Sequence, residues 1–317
     1  MLRTLLSTLL MGAIASGITA CTQSSGPGTT DALIPSAPPT ATFNKVTNAH
    51  RGPMYLYVSN CCHTSNDEVT VYSAYSKKNP SPVATITDGI SSATEGLFAD
   101  SAGNLYVVES GANNVTVYPK GSDTPSMTYT QDLEFPQDVA VDSKGTVYVT
   151  STPNNLIVEY PKGSTTPSLA FSPPGPSTGP VGLALDKRDN LYVTTGVHIY
   201  RFPAGKTQGK VLPYQIPGMY PYPCGLAFDS KGRLFVSNLG SPYAIYGFAG
   251  KSPTPFETIT DGLSYPYFLG FAPDGSLYVP NAGGNDVTVY APGSTSVEAT
   301  FSQGISTPGG VAFISVK

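Results

Sequence analysis

The chain of 317 residues is weakly charged, because only 12% of its residues are Asp, Glu, Lys or Arg, against roughly 25% in typical globular domains. A formal net charge of −4 without a cluster of basic residues argues against a nucleic-acid-binding protein. The 33 glycines and 30 prolines fall at regularly spaced turns, so they indicate an ordered β protein rather than a disordered chain.

The N-terminal segment, residues 1–20, has the pattern of a signal peptide. Arg3 supplies a short positive region, residues 5–18 form an apolar run, and small residues follow. The apolar run is too short for a membrane-spanning helix. The sequence ITAC at residues 18–21 resembles the bacterial lipobox, and this resemblance implies that Cys21 is diacylated and becomes the mature N-terminus. The alternative is an ordinary secretory signal in which the cysteine is coincidental.

Residues 21–49 are predicted to form a flexible tether that begins with the lipidated cysteine, because they are rich in Ser, Thr, Gly, Pro and Ala and show no periodicity. Two acyl chains give a stable membrane attachment. We therefore expect an exported lipoprotein of the bacterial cell envelope, facing either the periplasm or the cell surface. Residues 50–317 are predicted to form a single domain.

A sequence unit recurs six times within residues 50–317. Short β-branched and aromatic runs alternate with turns in each unit, which favours strands over helices. An aromatic residue followed by Val marks the second strand of each unit, at Tyr57, Tyr106, Tyr148, Tyr192, Phe235 and Tyr278. These markers are 49, 42, 44, 43 and 43 residues apart. A repeat of this length without a helical pattern is typical of a β-propeller blade.

The ends of the repeat predict how the ring closes. Each unit has strands a, b, c and d in chain order, but the first marker, at Tyr57, has no strand a before it. The chain ends with Pro308–Val316, which has the pattern of strand a and no marker after it. We therefore predict an all-β, six-bladed β-propeller in which the C-terminal strand completes the N-terminal blade. Closure removes the open sheet edges that favour aggregation.

One of the repeats resembles a known family. The sequence PCGLAFDSKGRLFV, at Pro223–Val236, resembles the NHL repeat, and the same frame recurs through the whole domain. The resemblance implies a propeller but does not fix a function, because NHL-type and related six-bladed propellers include peptide- and RNA-binding modules, gluconolactonase-like metalloenzymes and lyases. By analogy with the family, the ligand site is expected on the face that carries the d–a and b–c loops, around the central channel.

Two circles of positions are predicted on that face. The first circle, where the chain enters strand a, consists of Glu95, Gln137, Val181, Cys224, Tyr267 and Gly309. The second circle, where the chain leaves strand b, is polar in every blade and consists of Asn60, Glu109, Ser151, Thr195, Asn238 and Asn281. All of these residues except Val181 and Gly309 are predicted to contact a ligand. The alternative is that the polar side chains only hydrate the channel mouth and terminate the strands.

The favoured function is non-catalytic binding of a partner protein, peptide or glycan by a monomer that contacts the membrane only through its lipid anchor. No catalytic residue, cofactor or metal is assigned, and no nucleic acid is expected. The alternative function is that of a metal-dependent lactonase or hydrolase of gluconolactonase-like type. Carboxylate and amide oxygens suit a hard divalent cation, and both circles supply them, although neither circle contains an Asp.

Cys61, Cys62 and His63 are consecutive in the b–c loop of the first blade. Adjacent thiols in an oxidising compartment can form a vicinal disulfide, which is the pairing we predict for Cys61 and Cys62. The alternatives are two free thiols, a bridge to Cys224, or a metal site that includes Cys224. The last two require Cα atoms of different blades to approach within about 7 Å.

Overall fold

The computed structural model describes residues 54–315 except 62–66, 77 and 176. Over these residues the chain forms six four-stranded antiparallel sheets and no helix. The predicted six-bladed β-propeller is confirmed. The predicted signal peptide, Cys21, the tether and Cys62 lie outside the described residues. Within the described part of the chain, no helix is long and apolar enough to cross a membrane.

The strands follow the predicted order a, b, c and d in each blade. Blade 1 contains β1 (Met54–Asn60), β2 (Glu68–Ser73) and β3 (Ala84–Ile86), and blade 2 contains β4 (Thr94–Ala99), β5 (Leu105–Glu109), β6 (Asn114–Tyr118) and β7 (Met127–Tyr129). Blade 3 contains β8 (Val139–Val141), β9 (Val147–Ser151), β10 (Leu156–Tyr160) and β11 (Leu169–Phe171). Blade 4 contains β12 (Leu183–Leu185), β13 (Leu191–Thr194), β14 (Ile199–Phe202) and β15 (Lys210–Val211). Blade 5 contains β16 (Pro223–Phe228), β17 (Leu234–Asn238), β18 (Ala244–Phe248) and β19 (Glu257–Ile259). Blade 6 contains β20 (Gly270–Phe271), β21 (Leu277–Asn281), β22 (Asp286–Tyr290) and β23 (Val297–Phe301), and the last strand, β24 (Pro308–Ser315), returns to blade 1.

The ring closes through β24, which pairs antiparallel with β1 and supplies the missing strand a of blade 1. In this register Val58 lies opposite Val311. The seam between blades 6 and 1 is apolar, and the Tyr278 ring packs edge-on against Phe313 with 4.9 Å between ring centroids. The predicted closure is therefore part of the hydrophobic core as well as of the sheet.

The antiparallel order gives the ring two faces. The b–c and d–a loops form one face, here called the upper face, and the a–b and c–d loops form the lower face. The a–b turns are closed by an Asp. Asp100 accepts hydrogen bonds from the backbone N–H groups of Ala102 and Asn104, at 2.9 and 2.8 Å, and Gly103 takes the positive φ of 88° that the turn requires. Such turns end the blades on the lower face.

The d–a loops of the upper face are held by tyrosines of strand c. Tyr118 donates its hydroxyl proton to the carbonyl oxygen of Asp88 at 2.6 Å. Hydroxyl groups of Tyr72, Tyr160 and Tyr290 donate in the same way to d–a loop carbonyls. Blade 5 has Phe248 at this position, and Tyr246, two residues earlier, donates to the carbonyl of Pro217 instead, at 3.1 Å. The upper loops are thus fixed from within the blades.

Candidate ligand-binding site

The second circle consists of buried side chains that hold the upper loops. Asn238 Oδ1 accepts the backbone N–H of Tyr222 at 2.7 Å, and Glu109 Oε2 accepts that of Ser91 at 2.7 Å. The remaining members are also buried, and their polar groups likewise contact loop backbone or neighbouring strand residues: Asn60, Ser151, Thr195 and Asn281. The structure therefore gives these residues a positioning role, and their contact with a ligand stays a prediction.

The first circle lies where the inner strands of neighbouring blades approach most closely. In four blades the residue directly after the first-circle residue is a glycine: Gly96, Gly182, Gly225 and Gly310. A Cβ atom on Gly182 would lie 2.2 Å from the carbonyl oxygen of Cys224 in the next blade. Strand-b hydroxyls bridge the same gap, as Thr194 Oγ1 accepts the N–H of Gly182 at 2.8 Å and donates to the Cys224 carbonyl at 2.5 Å. The centre of the ring is therefore tightly packed backbone.

Asp138 stands where four other blades have glycine, and it was not among the predicted site residues. Its Oδ1 accepts the backbone N–H of Val139 at 2.9 Å, and its Oδ2 accepts that of Leu183 in the next blade at 2.7 Å. Burial raises the pKa of Asp138 to about 7, although these two hydrogen bonds lower it. The sequence Pro136-Gln137-Asp138, in place of Pro-x-Gly, was the signal that could have identified it.

Glu95 is the buried carboxyl group of the first circle, with 6% of its surface exposed. The Cys61 sulfur lies 3.8 Å from Oε1 of the Glu95 side chain. Because that sulfur belongs to a disulfide, it has no proton to donate. Burial, followed by the charges of Asp67 and Asp138, raises the pKa of Glu95 to about 8. Glu95 is therefore largely protonated at neutral pH.

Cys61 is disulfide-bonded, whereas Cys224 is a buried free thiol. A disulfide between Cys224 and Cys61 is therefore excluded. The partner of Cys61 lies outside the described residues, so its predicted pairing with Cys62 stays a prediction. Burial, followed by the nearby Glu95 and Asp138 charges, raises the pKa of the Cys224 thiol. Cys224 is consequently a neutral, apolar neighbour of the channel, packed with Val181 and Phe268.

The upper loops that lead into and out of blade 5, together with its b–c loop, carry a group of mainly aromatic side chains. We call it the tyrosine patch, and it consists of Met219, Tyr220, Tyr222, Tyr243, Tyr265 and Tyr267. Tyr243 and Tyr265 pack edge-on with 5.6 Å between ring centroids. Burial raises the pKa of Tyr265, and Tyr243 and Cys224 raise it further. Burial also raises the pKa of Tyr267, followed by the charge of Glu95. Only Tyr267 was predicted, although the sequences YPYP and SYPY in the two d–a loops could have indicated Tyr220, Tyr222 and Tyr265.

The two raised carboxyl pKa values predict that the protein loses stability as pH rises from 5 to 9. In the folded protein Glu95 holds its proton up to about pH 8, whereas its ordinary pKa is 4.5. Its contribution is therefore complete below about pH 4.5 and is lost as pH rises through 8, and Asp138 acts in the same direction with a pKa of about 7. Urea unfolding at pH 5, 7 and 9 measures the effect. Glu95→Gln should reduce the fall in unfolding free energy by at least about 1.4 kcal/mol, the equivalent of one pKa unit.

Glu134→Gln is the matched control for this experiment, because Glu134 is an exposed carboxyl group in an upper loop. It should leave the pH dependence of the unfolding free energy unchanged. If the unfolding free energy of the wild-type protein is constant between pH 5 and 9, the raised pKa values of Glu95 and Asp138 are contradicted.

Comparisons with known proteins find similarity of structure but not of sequence. No protein-family model matches the chain, and no curated protein matches it by sequence. A chain of the nidogen/laminin complex superposes with a TM-score of 0.70 and 19% sequence identity, over 82% of this chain and 98% of that chain. The chain has the fold of a β-propeller.

Two further solved structures have the same fold. A protein of unknown function from Bacteroides caccae matches with a TM-score of 0.64 and 13% identity, over 83% of this chain and 99% of that chain. A gluconolactonase from Xanthomonas campestris matches with a TM-score of 0.58 and 16% identity, over 82% of this chain and 89% of that chain. At these identities the similarity concerns the fold alone, because one propeller architecture carries many functions.

Proposed function

We propose that the protein is an exported, lipid-anchored propeller of NHL type whose upper face binds a partner protein, peptide or glycan without catalysis. The tyrosine patch carries this proposal. Met219 is 80% and Tyr220 58% exposed in one d–a loop, and Tyr265, 37% exposed in the next d–a loop, packs against Tyr243, which is 38% exposed. Contiguous exposed apolar surface on a soluble domain commonly marks an interaction site.

The geometry supports this function over a metal-dependent lactonase. Three of the amide oxygens that could serve a hard cation are already used by the fold, because Oδ1 of Asn60, Asn238 and Asn281 each accepts a backbone N–H of a d–a loop. Within the described residues no three His, Cys, Asp or Glu side chains are grouped to hold a metal ion. Metal analysis of purified protein and assay of lactone hydrolysis test the alternative. Stoichiometric Ca²⁺, Zn²⁺ or Mn²⁺ together with turnover would overturn our proposal.

Site-specific photocrosslinking tests the binding face. A photoreactive phenylalanine analogue at position 265 or 243 should give discrete adducts in the intact cell envelope. The same analogue at position 256 is the matched control, because Phe256 is a comparably exposed aromatic residue that precedes strand d on the lower side of blade 5. Equal crosslinking at positions 256 and 265, or none at either, would contradict a partner site on the upper face.

Anchoring is tested by replacing the predicted lipidation site. Wild-type protein should incorporate labelled palmitate and partition into detergent, whereas Cys21→Ser should remain unlabelled and partition into the aqueous phase, because two acyl chains provide stable attachment. Thr22→Ser, at the neighbouring position, should behave like the wild type. Labelling of Cys21→Ser, or an aqueous wild type, would contradict the lipid anchor.

A further inference from the structure

The charged residues of the propeller are sorted between its two faces. The described residues contain twelve Lys and Arg, and none lies in an upper loop or at an upper strand end. Ten are in the a–b and c–d loops of the lower face: Lys78, Lys120, Lys144, Lys162, Lys187, Arg188, Lys206, Lys231, Arg233 and Lys251. The other two, Arg201 and Lys210, are in the outer strands of blade 4. Among the described residues, His198 in the b–c loop of blade 4 is the only basic side chain of the upper face.

The described part of the upper face carries ten acidic side chains. They are Asp67, Glu68, Asp88, Glu95, Glu109, Asp132, Glu134, Asp138, Asp261 and Asp286. Burial keeps Glu95 largely protonated, but Asp88, Asp132, Glu134 and Asp261 are exposed. A face with one sign of charge attracts ligands of the opposite sign and repels those of its own sign. The upper face therefore favours a cationic partner over an anionic one.

The tyrosine patch lies on this face, and the two loops that carry Tyr220, Tyr222 and Tyr243 are held together by backbone contacts. A Cβ atom on Gly240, in the b–c loop of blade 5, would lie 1.6 Å from the carbonyl oxygen of Tyr220, so the two loops are in backbone contact. Asn238 fixes both loops, because its Oδ1 accepts the N–H of Tyr222 and its Nδ2 donates to the carbonyl oxygens of Gly240 and Pro242 at 3.0 and 2.9 Å. A surface ordered before binding loses little conformational entropy when a partner arrives.

We propose that the upper face binds a polypeptide segment that carries Lys or Arg side chains, laid along the tyrosine patch. This inference rests on the proposed binding function and names the chemistry of its partner. Tyrosine faces attract ammonium and guanidinium groups, and the exposed carboxylate of Asp261, in the same d–a loop as Tyr265, supplies matching charge. A neutral glycan would stack on the tyrosines but would make no use of the charge, and an acidic polymer would be repelled.

Three peptides of equal length test the chemistry by isothermal titration of the full-length protein in detergent. They are Ac-GKYGRYGKG-NH₂, its neutral form Ac-GQYGNYGQG-NH₂ and its acidic form Ac-GEYGDYGEG-NH₂. At low salt the cationic peptide should bind about tenfold more tightly than the neutral one, and the acidic peptide should bind least. Salt should weaken the binding of the cationic peptide, because the Debye length falls to about 8 Å at physiological ionic strength. Equal binding of the three peptides, or no binding of the cationic one, would overturn the inference.

Matched variants locate the site. Tyr265→Ala should lower the affinity for the cationic peptide about fivefold through loss of a cation–π contact. Phe256→Ala should leave that affinity unchanged. The double variant Asp132→Asn/Glu134→Gln should weaken binding at low salt, and Asp123→Asn/Asp274→Asn on the lower face should not. If salt abolishes binding of the cationic peptide but Tyr265→Ala leaves its affinity unchanged, the attraction is non-specific and the inference is overturned. All variants should unfold cooperatively like the wild type, as urea titration checks.

A neutral oligosaccharide separates this inference from the function on which it rests. Cellopentaose binding that is lost in Tyr265→Ala, without binding of the cationic peptide, would overturn the basic-peptide inference and leave the upper face as a binding surface. Photocrosslinking that fails at both positions 243 and 265 would instead contradict the proposed function itself.

Discussion

Deletion of residues 308–317 should severely destabilise the propeller. The deletion removes β24, leaves the inner edge of β1 unpaired, and takes Val311 and Phe313 from the seam between blades 6 and 1. Burial of one such side chain contributes roughly 1.5–3 kcal/mol, and a domain has only about 5–15 kcal/mol of stability in total. The loss of two, together with a complete strand ladder, should produce aggregation or a large fall in melting temperature, measured by circular dichroism.

Deletion of residues 25–34, a segment of equal length in the predicted tether, is the control. It should leave the melting temperature of the propeller unchanged. A C-terminal deletion that melts like the wild type would show that β24 is dispensable, and closure of the ring would need another explanation.

The substitution Gly182→Ala should destabilise the protein by about 3 kcal/mol or more, at the upper end of the range for overpacked sites. The φ of Gly182 lies outside the left-handed region, so alanine is acceptable to the local backbone. The added Cβ would nevertheless lie 2.2 Å from the carbonyl oxygen of Cys224, which is backbone of the adjacent blade. The inner strands of two blades must separate to accommodate it, and urea unfolding measures the cost.

Gly121→Ala provides the opposite case. Gly121 has a φ of 72° and open space around its Cα, so alanine costs only the strain of the left-handed conformation, about 1 kcal/mol. Gly182→Ala should therefore be the more damaging of the two. Equal effects would mean that the inner strands can move apart at little cost, and that the centre of the ring is not closely packed.

The blades and their closure could be predicted because the signals are local and repeated. The marker pairs, the Asp-Gly turns and the unmatched C-terminal strand each follow from the chemistry of a few neighbouring residues. Side-chain direction at the upper face could not be predicted in this way. Asn238 was assigned to a ligand because it leaves strand b at the channel mouth, but its amide group holds the d–a loop, which is eleven residues long here.

The contacts at the buried centre of the ring could not be predicted from the sequence pattern either. Asp138 bridges two blades through the N–H groups of Val139 and Leu183, and this bridge depends on the distance between inner strands. The tyrosine patch depends on contact between two irregular loops that are far apart in the chain. Only Tyr267, which has a fixed position in the repeat, could be placed in advance.

The position of the chain ends has a mechanical consequence. Met54 lies opposite Ser315 on the lower face, and β1 is hydrogen-bonded to β24 on one edge and to β2 on the other. Tension between a partner on the upper face and a membrane anchor would pull β1 along its own axis. Because antiparallel hydrogen bonds run across the strands, such a load would shear both ladders together instead of opening them one bond at a time. If the predicted tether and anchor are present, β1 would resist such a force through both of its neighbouring strands.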